Sequence, residues 1–284
     1  MVTRSAGPTA DDRGTLYIVA TPIGNLADMS QRAVDTLAAA DVILAEDTRV
    51  SRVLLEHFGI TTRMVAAHEH NAARIIPQVI ERLSRGERVA VITDAGTPLI
   101  SDPGVRLVQA VREAGFRVSP IPGASAVVAA LSASGIEPSP FTFVGFLPRT
   151  GKDRRKAIEL VTSLTHAVVL YEAPGRVAET LDEIAAAGTL DRRCVVAREL
   201  TKLFEEFRDG TVEELAAYYR DNPARGEVVI LLAPQEAKSF NEEDLRGRVK
   251  ALREAGYSAK DAAARVSAET GVPRNAVYKL AVAL

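Results

Sequence analysis

From Leu16 to Ile136 the chain repeats one pattern: a short apolar run, a polar turn, then an amphipathic stretch. The runs are "TLYIVA", "DVILAED", "RMVAAHEH", "RVAVITD" and "RVSPI". The stretches between and after them include "SQRAVDTLAAA", "SRVLLEHFG", "ARIIPQVIERLSRG", "PGVRLVQAVREAG" and "GASAVVAALSASG". The runs lack strict period-2 alternation, so both faces of each must be covered. That pattern predicts an α/β fold with a parallel sheet between two helical layers.

"IEPSPFTFVGFLPRTGKD", residues 136–153, breaks the rhythm with three prolines and three aromatics. It reads as the crossover into a second α/β unit. That unit holds strands "HAVVLYEAP", "RRCVVAREL" and "GEVVILLAP", helices "RVAETLDEIAAAG" and "VEELAAYYRDN", and a polar excursion "TKLFEEFRDGT". After Pro234 three short helices follow. Ser258 and Asp261 have capping-box spacing, Gly271 suits a C′ position and Pro273 a helix start. The expected organisation is a disordered leader (1–14), an N-terminal α/β domain (15–135), a second α/β domain (136–236) and a helix–turn–helix-like segment (237–284). That last segment fits either a nucleic-acid contact or a helical cap on the second domain.

Composition narrows the function classes. A net charge of -2 gives no global reason to bind nucleic acid, so any such surface is local. A single cysteine, Cys194 in "RRCVVA", excludes an internal disulfide framework and fits a reducing cytoplasm as a buried small hydrophobe. No stretch approaches the roughly 20 apolar residues of a membrane span. The start, "MVTRSAGPTADDRG", lacks the apolar core of a signal peptide. His68-Glu69-His70 does not have the i, i+4 helical pairing of a zincin, so no metal site is expected.

In a parallel α/β sheet, ligands bind beyond the carboxyl ends of the strands. The loop "ATPIGNLADMS" holds one glycine, Gly24, too few for a pyrophosphate cradle. Glu46-Asp47, ending the second strand, suits either a ribose-binding carboxylate or a charge device at a helix N-terminus. In "VITDAGTPLISDPG" the Ala95-Gly96-Thr97-Pro98 turn lets backbone approach a small polar ligand, and Asp102-Pro103 reads as N-cap and N1 of the next helix. "IPGAS" offers close approach before a small-residue helix. None of these loops carries a lysine, which disfavours nucleoside triphosphates.

Seven segments in order, "LYIVATPIGNLADMS", "ADVILAEDTR", "VITDAGTPLISDPG", "IPGASAVVAALSASG", "FVGFLPR", "YEAPGR" and "ARELTK", resemble the tetrapyrrole-methylase superfamily. More narrowly the chain is similar to its branch of rRNA 2′-O-methyltransferases, from about Leu16 to Leu284. The resemblance implies two α/β domains, the second with a mixed sheet, and S-adenosylmethionine in the cleft between them. A ligand without phosphates explains the missing glycine fingerprints. By position, cofactor contacts fall to Ile23 and Gly24, to Ala95, Gly96, Thr97 and Ile100, to Ser125 and Ala126, and to Glu172. Glu46 stands where relatives place a proton-accepting aspartate. Asp47, Arg49 and Lys202 are implied to orient ribose and phosphate, or to form an ion-pair network across the domains.

The implied substrate is a cytidine ribose in 16S rRNA of the small ribosomal subunit, in the decoding region, and the implied assembly is a homodimer. "LPRTGKDRRK", with five basic residues against one acid, would then track RNA phosphates, Arg154 and Arg155 among them. Tetrapyrrole relatives usually carry Gly-Asp-Pro at Gly96-Thr97-Pro98 and Gly-Pro-Gly at Pro22-Ile23-Gly24, departures that agree with the rRNA branch. A tetrapyrrole or corrin C-methyltransferase and a non-catalytic nucleotide-binding module are the alternatives.

Overall fold

The computed structural model describes residues 14–235 and 242–283, apart from Pro103, Gly271 and the side chain of His70. The expected leader up to residue 13, Pro103 at a helix start and Gly271 at a helix end lie outside the described residues.

Strands β1 (Thr15–Val19), β2 (Val42–Ala45), β3 (Met64–Ala66), β4 (Val89–Ile92) and β5 (Arg117–Ile121) form one sheet in the order β3-β2-β4-β1-β5. Every pairing in it is parallel. Helices α1 (Gln31–Ala39), α2 (Thr48–His57), α3 (Ala72–Ser84) and α4 (Val105–Glu113) connect the strands. Tyr17, Val19, Ile43 and Ala45 pack with Leu37 and Leu55 on one face. Leu16, Ile18, Val42 and Leu44 pack with Ile75, Val79 and Leu107 on the other. Both sets are apolar, which is why strand alternation is invisible in the sequence.

Helix α5 (Ala126–Ser134) follows β5 but packs on the second sheet, where Val127, Ala130 and Leu131 meet Val169, Val195 and Leu231. That sheet holds β6 (Phe141–Phe146), β7 (Ala167–Glu172), β8 (Arg193–Arg198), β9 (Glu206–Thr211) and β10 (Val228–Leu232), in the order β6-β7-β10-β8-β9. Only β6 and β7 run parallel. Helices α6 (Gly151–Ser163), α7 (Val177–Ile184) and α8 (Val212–Asp221) cover the face opposite α5, over Leu170, Cys194, Val196 and Ile230. Cys194 is fully buried, and burial pushes its thiol well above the ordinary range.

Three elements go beyond the sequence reading. β6 occupies the stretch taken as a crossover: its prolines flank the strand, and Gly145 (φ 74°) sits at a bulge in the pairing with β7. β9 is the polar excursion. As an edge strand it needs no continuous apolar face, and the cross-strand pairs Arg193–Asp209 and Arg198–Glu206, each 2.6 Å, hold it to β8. α6 carries the basic stretch and corrects its reading. Arg154 is 3 % exposed, its guanidinium donating to Glu183 (2.7 Å), Pro148 O (3.1 Å) and Thr180 Oγ1 (2.9 Å). Arg149, Lys152, Arg155 and Lys156 remain exposed. At helical period, one arginine of a basic run falls on the inward face and must then find acceptors.

Residues from Gln235 on form a separate compact unit. Helices α9 (Glu242–Glu254), α10 (Ala259–Thr270) and α11 (Arg274–Val282) enclose a small core of Leu245, Val249, Ala263, Val266, Val277 and Ala281. Ser258 Oγ accepts from the Asp261 N–H (3.1 Å) and donates to its carboxylate (2.6 Å). Pro273 caps α11.

Candidate active site

Three loops at the carboxyl ends of the first sheet are stitched together by their own backbone. Thr21 and Gly96 exchange two hydrogen bonds, of 2.9 and 3.1 Å. Thr21 Oγ1 donates to Thr93 O (3.1 Å), and Thr97 Oγ1 to Ala124 O (3.2 Å). Gly96 lies at φ 81°, so a side chain there would be strained. Gly123 has a different reason: a Cβ would come within 2.9 Å of Ala20 Cβ. The Gly96 N–H is taken by Thr21, so the amides left on this turn for a ligand are those of its neighbours Ala95 and Thr97.

Against this cradle lies a cavity of about 510 Å³, between the two sheets. Small-molecule sites run to roughly 300–1,000 Å³. Ile23, Ala95, Gly96, Thr97, Ile100, Ser125, Ala126 and Glu172 all line it, so the structure gathers most of the implied cofactor contacts around one space. Gly24 does not. It faces the neighbouring groove, and a Cβ there would run into Lys202 Cγ at 2.5 Å. The sequence reading missed Phe146, Tyr171 and the segment 226–229 at the start of β10, all contributed by the second sheet. Only the position of Tyr171 beside Glu172 offered a signal. Glu172 is buried; its Oε1 accepts from the Ala173 N–H (2.8 Å) and its Oε2 from Thr180 Oγ1 (2.5 Å).

β2 and β4 pair in register through Ala45 and Ile92, which sets Glu46 and Thr93 side by side one residue later. Thr93 Oγ1 donates to Glu46 Oε2 at 2.9 Å. Asp102 lines the same space as Thr93 and Glu46. It is not the helix N-cap expected from Asp-Pro; Gly104, at φ 127°, takes that place. The Asp102 carboxyl instead lies among other acids. Burial, reinforced by the charges of Glu46 and Asp94, pushes the Asp102 carboxyl above the usual range. Burial likewise raises Asp94, against the pull of the Asp47 N–H.

A carboxyl raised by folding favours the protonated protein. Its contribution to stability is complete below the ordinary aspartate pKa and is lost as pH rises through the raised value. Asp102→Asn is accordingly expected to raise Tm at neutral pH, by roughly 2–4 °C for each kcal/mol of strain relieved. The gain vanishes below about pH 4. Thermal melts at both pH values measure it; an equal shift at both would place the effect elsewhere.

Asp47, Arg49 and Lys202 lie apart from Glu46, in the groove with Gly24. Asp47 caps α2, accepting from the Arg49 N–H at 2.8 Å, and pairs with the Arg49 guanidinium at 2.6 Å. Those hydrogen bonds hold its carboxyl down to about 2. Lys202 bonds Glu199 (2.9 Å) and Glu227 (3.1 Å). Among the described residues no ion pair joins Lys202 to Asp47 or Arg49, so these are two local devices rather than one network.

The architecture of two five-stranded sheets with an open cavity at the strand ends is one that solved methyltransferase structures share. A family model for tetrapyrrole (corrin/porphyrin) methylases matches residues 15–216, and the chain belongs to that family. A second model, described as the RsmI C-terminal HTH domain, matches residues 241–284. Within the family, the chain is 45% identical over 281 residues to ribosomal RNA small subunit methyltransferase I of Mesorhizobium japonicum, covering 98% of this chain and 95% of that one. The solved structure of a cobalt precorrin-4 methyltransferase aligns with TM-score 0.60 at 20% identity, over 81% of this chain and 98% of the other. A uroporphyrin-III C-methyltransferase from Thermus thermophilus, solved with S-adenosylhomocysteine, aligns with TM-score 0.56 at 17% identity, over 77% and 96%.

Proposed function

We propose that the protein transfers a methyl group from S-adenosylmethionine to the 2′-oxygen of a cytidine ribose in the decoding region of 16S rRNA. The observation that carries this reading is the cavity itself. A cradle of small residues, without lysine and without a pyrophosphate-type glycine array, opens directly onto the carboxylate of Glu46. Full-length similarity to a protein named for small-subunit rRNA methylation supports the substrate class. It includes the C-terminal helices, which favours the RNA reading over the corrin one.

When bound, S-adenosylmethionine would supply a methyl group on a sulfonium, activated for in-line displacement. The cavity fits such a group. The Gly96 turn brings backbone close, Ala95 and Thr97 offer amides, and Ser125, Ala126 and Ile23 keep the wall small or apolar. Glu46 from the first sheet and Glu172 from the second add carboxylates to the lining, which suits a cationic ligand. The chain's remaining work is alignment and proton removal. Glu46, steadied by Thr93, accepts the ribose hydroxyl proton as the oxygen attacks. Arg49 and Lys202, each paired with carboxylates in the adjoining groove, can exchange those partners for RNA phosphate. A cytoplasmic homodimer completes the reading, and sedimentation measures its assembly.

The experiment is methyl incorporation into small subunits from a strain lacking this modification, with the modified nucleotide mapped. Label on a base, or on no RNA, overturns the proposal. The exposed face of α6 supplies a second check. Replacing Arg155 and Lys156 together with Ala is expected to weaken RNA binding and flatten the plot of log Kd against log salt by roughly 0.7 for each phosphate no longer neutralised. An unchanged slope removes α6 from the RNA path.

A further inference from the structure

A second cavity, of about 430 Å³, lies beside the first, over the carboxyl ends of β2, β3 and β4 and between the N-terminal turns of α3 and α4. Glu46, Thr93, Ser101 and Asp102 line both spaces, so the carboxylates form a shared wall. The floor is apolar, made by edges of the buried residues Ile75, Ile92 and Leu107 with Ile76 and Pro98. At its rim stands Arg106, exposed and without an ion-pair partner among the described residues. None of these floor and rim residues touches the cofactor cavity.

We infer that this second cavity receives one extruded nucleoside of a single-stranded or looped RNA. The proposal rests on the RNA reading above and assigns the substrate's own site within it. Its three chemistries match the three parts of a nucleotide. The apolar floor takes the face of the base, which must leave its stack for the ribose to reach a recessed reactive centre. The Arg106 guanidinium meets a flanking phosphate. The shared wall then meets the ribose edge, setting the 2′-hydroxyl against Glu46, with the cofactor cavity on the far side. The lining thus holds the carboxylates of Glu46, Glu69 and Asp102 together with the Arg106 guanidinium, so it offers acceptors for hydroxyls and a cation for a phosphate. The loop between the two cavities fits this role: Leu99 (φ 74°) and Ser101 (φ 65°) hold left-handed backbone, and Ser101 Oγ lies 3.0 Å from where a Cβ on Gly145 would be. That loop is a partition braced against the second sheet.

Ala72, at the start of α3, lines the second cavity and not the first, and Ala72→Phe fills the floor. In the full-length protein, with small subunits from an unmodified strain, A72F is expected to lower kcat/KM about 100-fold, the scale on which misplacement costs rate. Its S-adenosylhomocysteine Kd and Tm stay unchanged. R106A, at an exposed position that bears no fold, is expected to raise KM about tenfold at near-constant kcat, and it keeps the test intact if A72F does not fold. A72F turning over at the wild-type rate, A72F losing S-adenosylhomocysteine affinity, or R106A leaving KM unmoved each overturns the cavity assignment while the RNA reading stands. Wild-type protein that methylates no small-subunit RNA overturns both.

Discussion

Glu46→Gln is expected to lower methyl transfer by about 10²–10⁴-fold, the range that a positioned general base contributes. The substitution is nearly isosteric, and the Gln Oε1 still accepts the Thr93 hydroxyl that Glu46 Oε2 accepts at 2.9 Å. Position is kept and basicity is lost. S-adenosylhomocysteine affinity, measured by calorimetry, is expected to fall little, because the cradle of Gly96, Thr97 and Ser125 is untouched. A ribose hydroxyl is a poor nucleophile without a proton acceptor, so the loss belongs in kcat. Near-wild-type turnover would reduce Glu46 to a wall of the cavity and move the proton to Asp102 or Asp94. Burial raises the carboxyls of both, so the acid limb of the pH–rate profile would then move up from the ordinary carboxylate range.

The second large effect concerns stability. Arg154→Ala is expected to destabilise the protein by about 3 kcal/mol, the lower end for breaking a buried ion pair. Glu183 is 38% exposed at its side chain and recovers some hydration, which sets the lower end. Pro148 O and Thr180 Oγ1 lose a donor at the same time. Thr180 is the group that donates to Glu172, so the damage reaches the cofactor cavity by two hydrogen bonds. Urea unfolding measures the loss. Arg154→Lys is expected to recover only part of it, since an ammonium cannot reproduce the guanidinium fork. Undiminished stability with weaker RNA binding would return Arg154 to the surface role its neighbours suggest.

Arg154 shows where reading the sequence stops. In "KDRRK" the two arginines are chemically identical, and only the helix phase decides which one turns inward. Asp102 teaches the same lesson. Asp-Pro before a helical run is a sound local signal for a cap, yet the helix starts after Gly104 and Asp102 lines the space shared with Glu46 and Thr93. β9 was hidden because an edge strand stabilised by cross-strand ion pairs has the composition of a loop. α5 was legible as a helix, but nothing local says that it buries itself against β8 and β10 rather than its own sheet.

What the sequence determined by itself is the set of local choices: parallel strands from two-sided apolar runs, helices between them, small residues where loops crowd, and the motifs that mark the methylase family. These depend on neighbours a few residues apart, so periodicity and turn chemistry report them directly. Only the tertiary structure decided which loops share a cavity, that Glu46 faces it while Asp47, Arg49 and Lys202 face the next groove, and that a second cavity shares its carboxylate wall. Those facts depend on strand order and register across 47 residues from Glu46 to Thr93 and beyond. Side chains that far apart in the chain meet only because both sheets are built, and no local signal encodes the meeting.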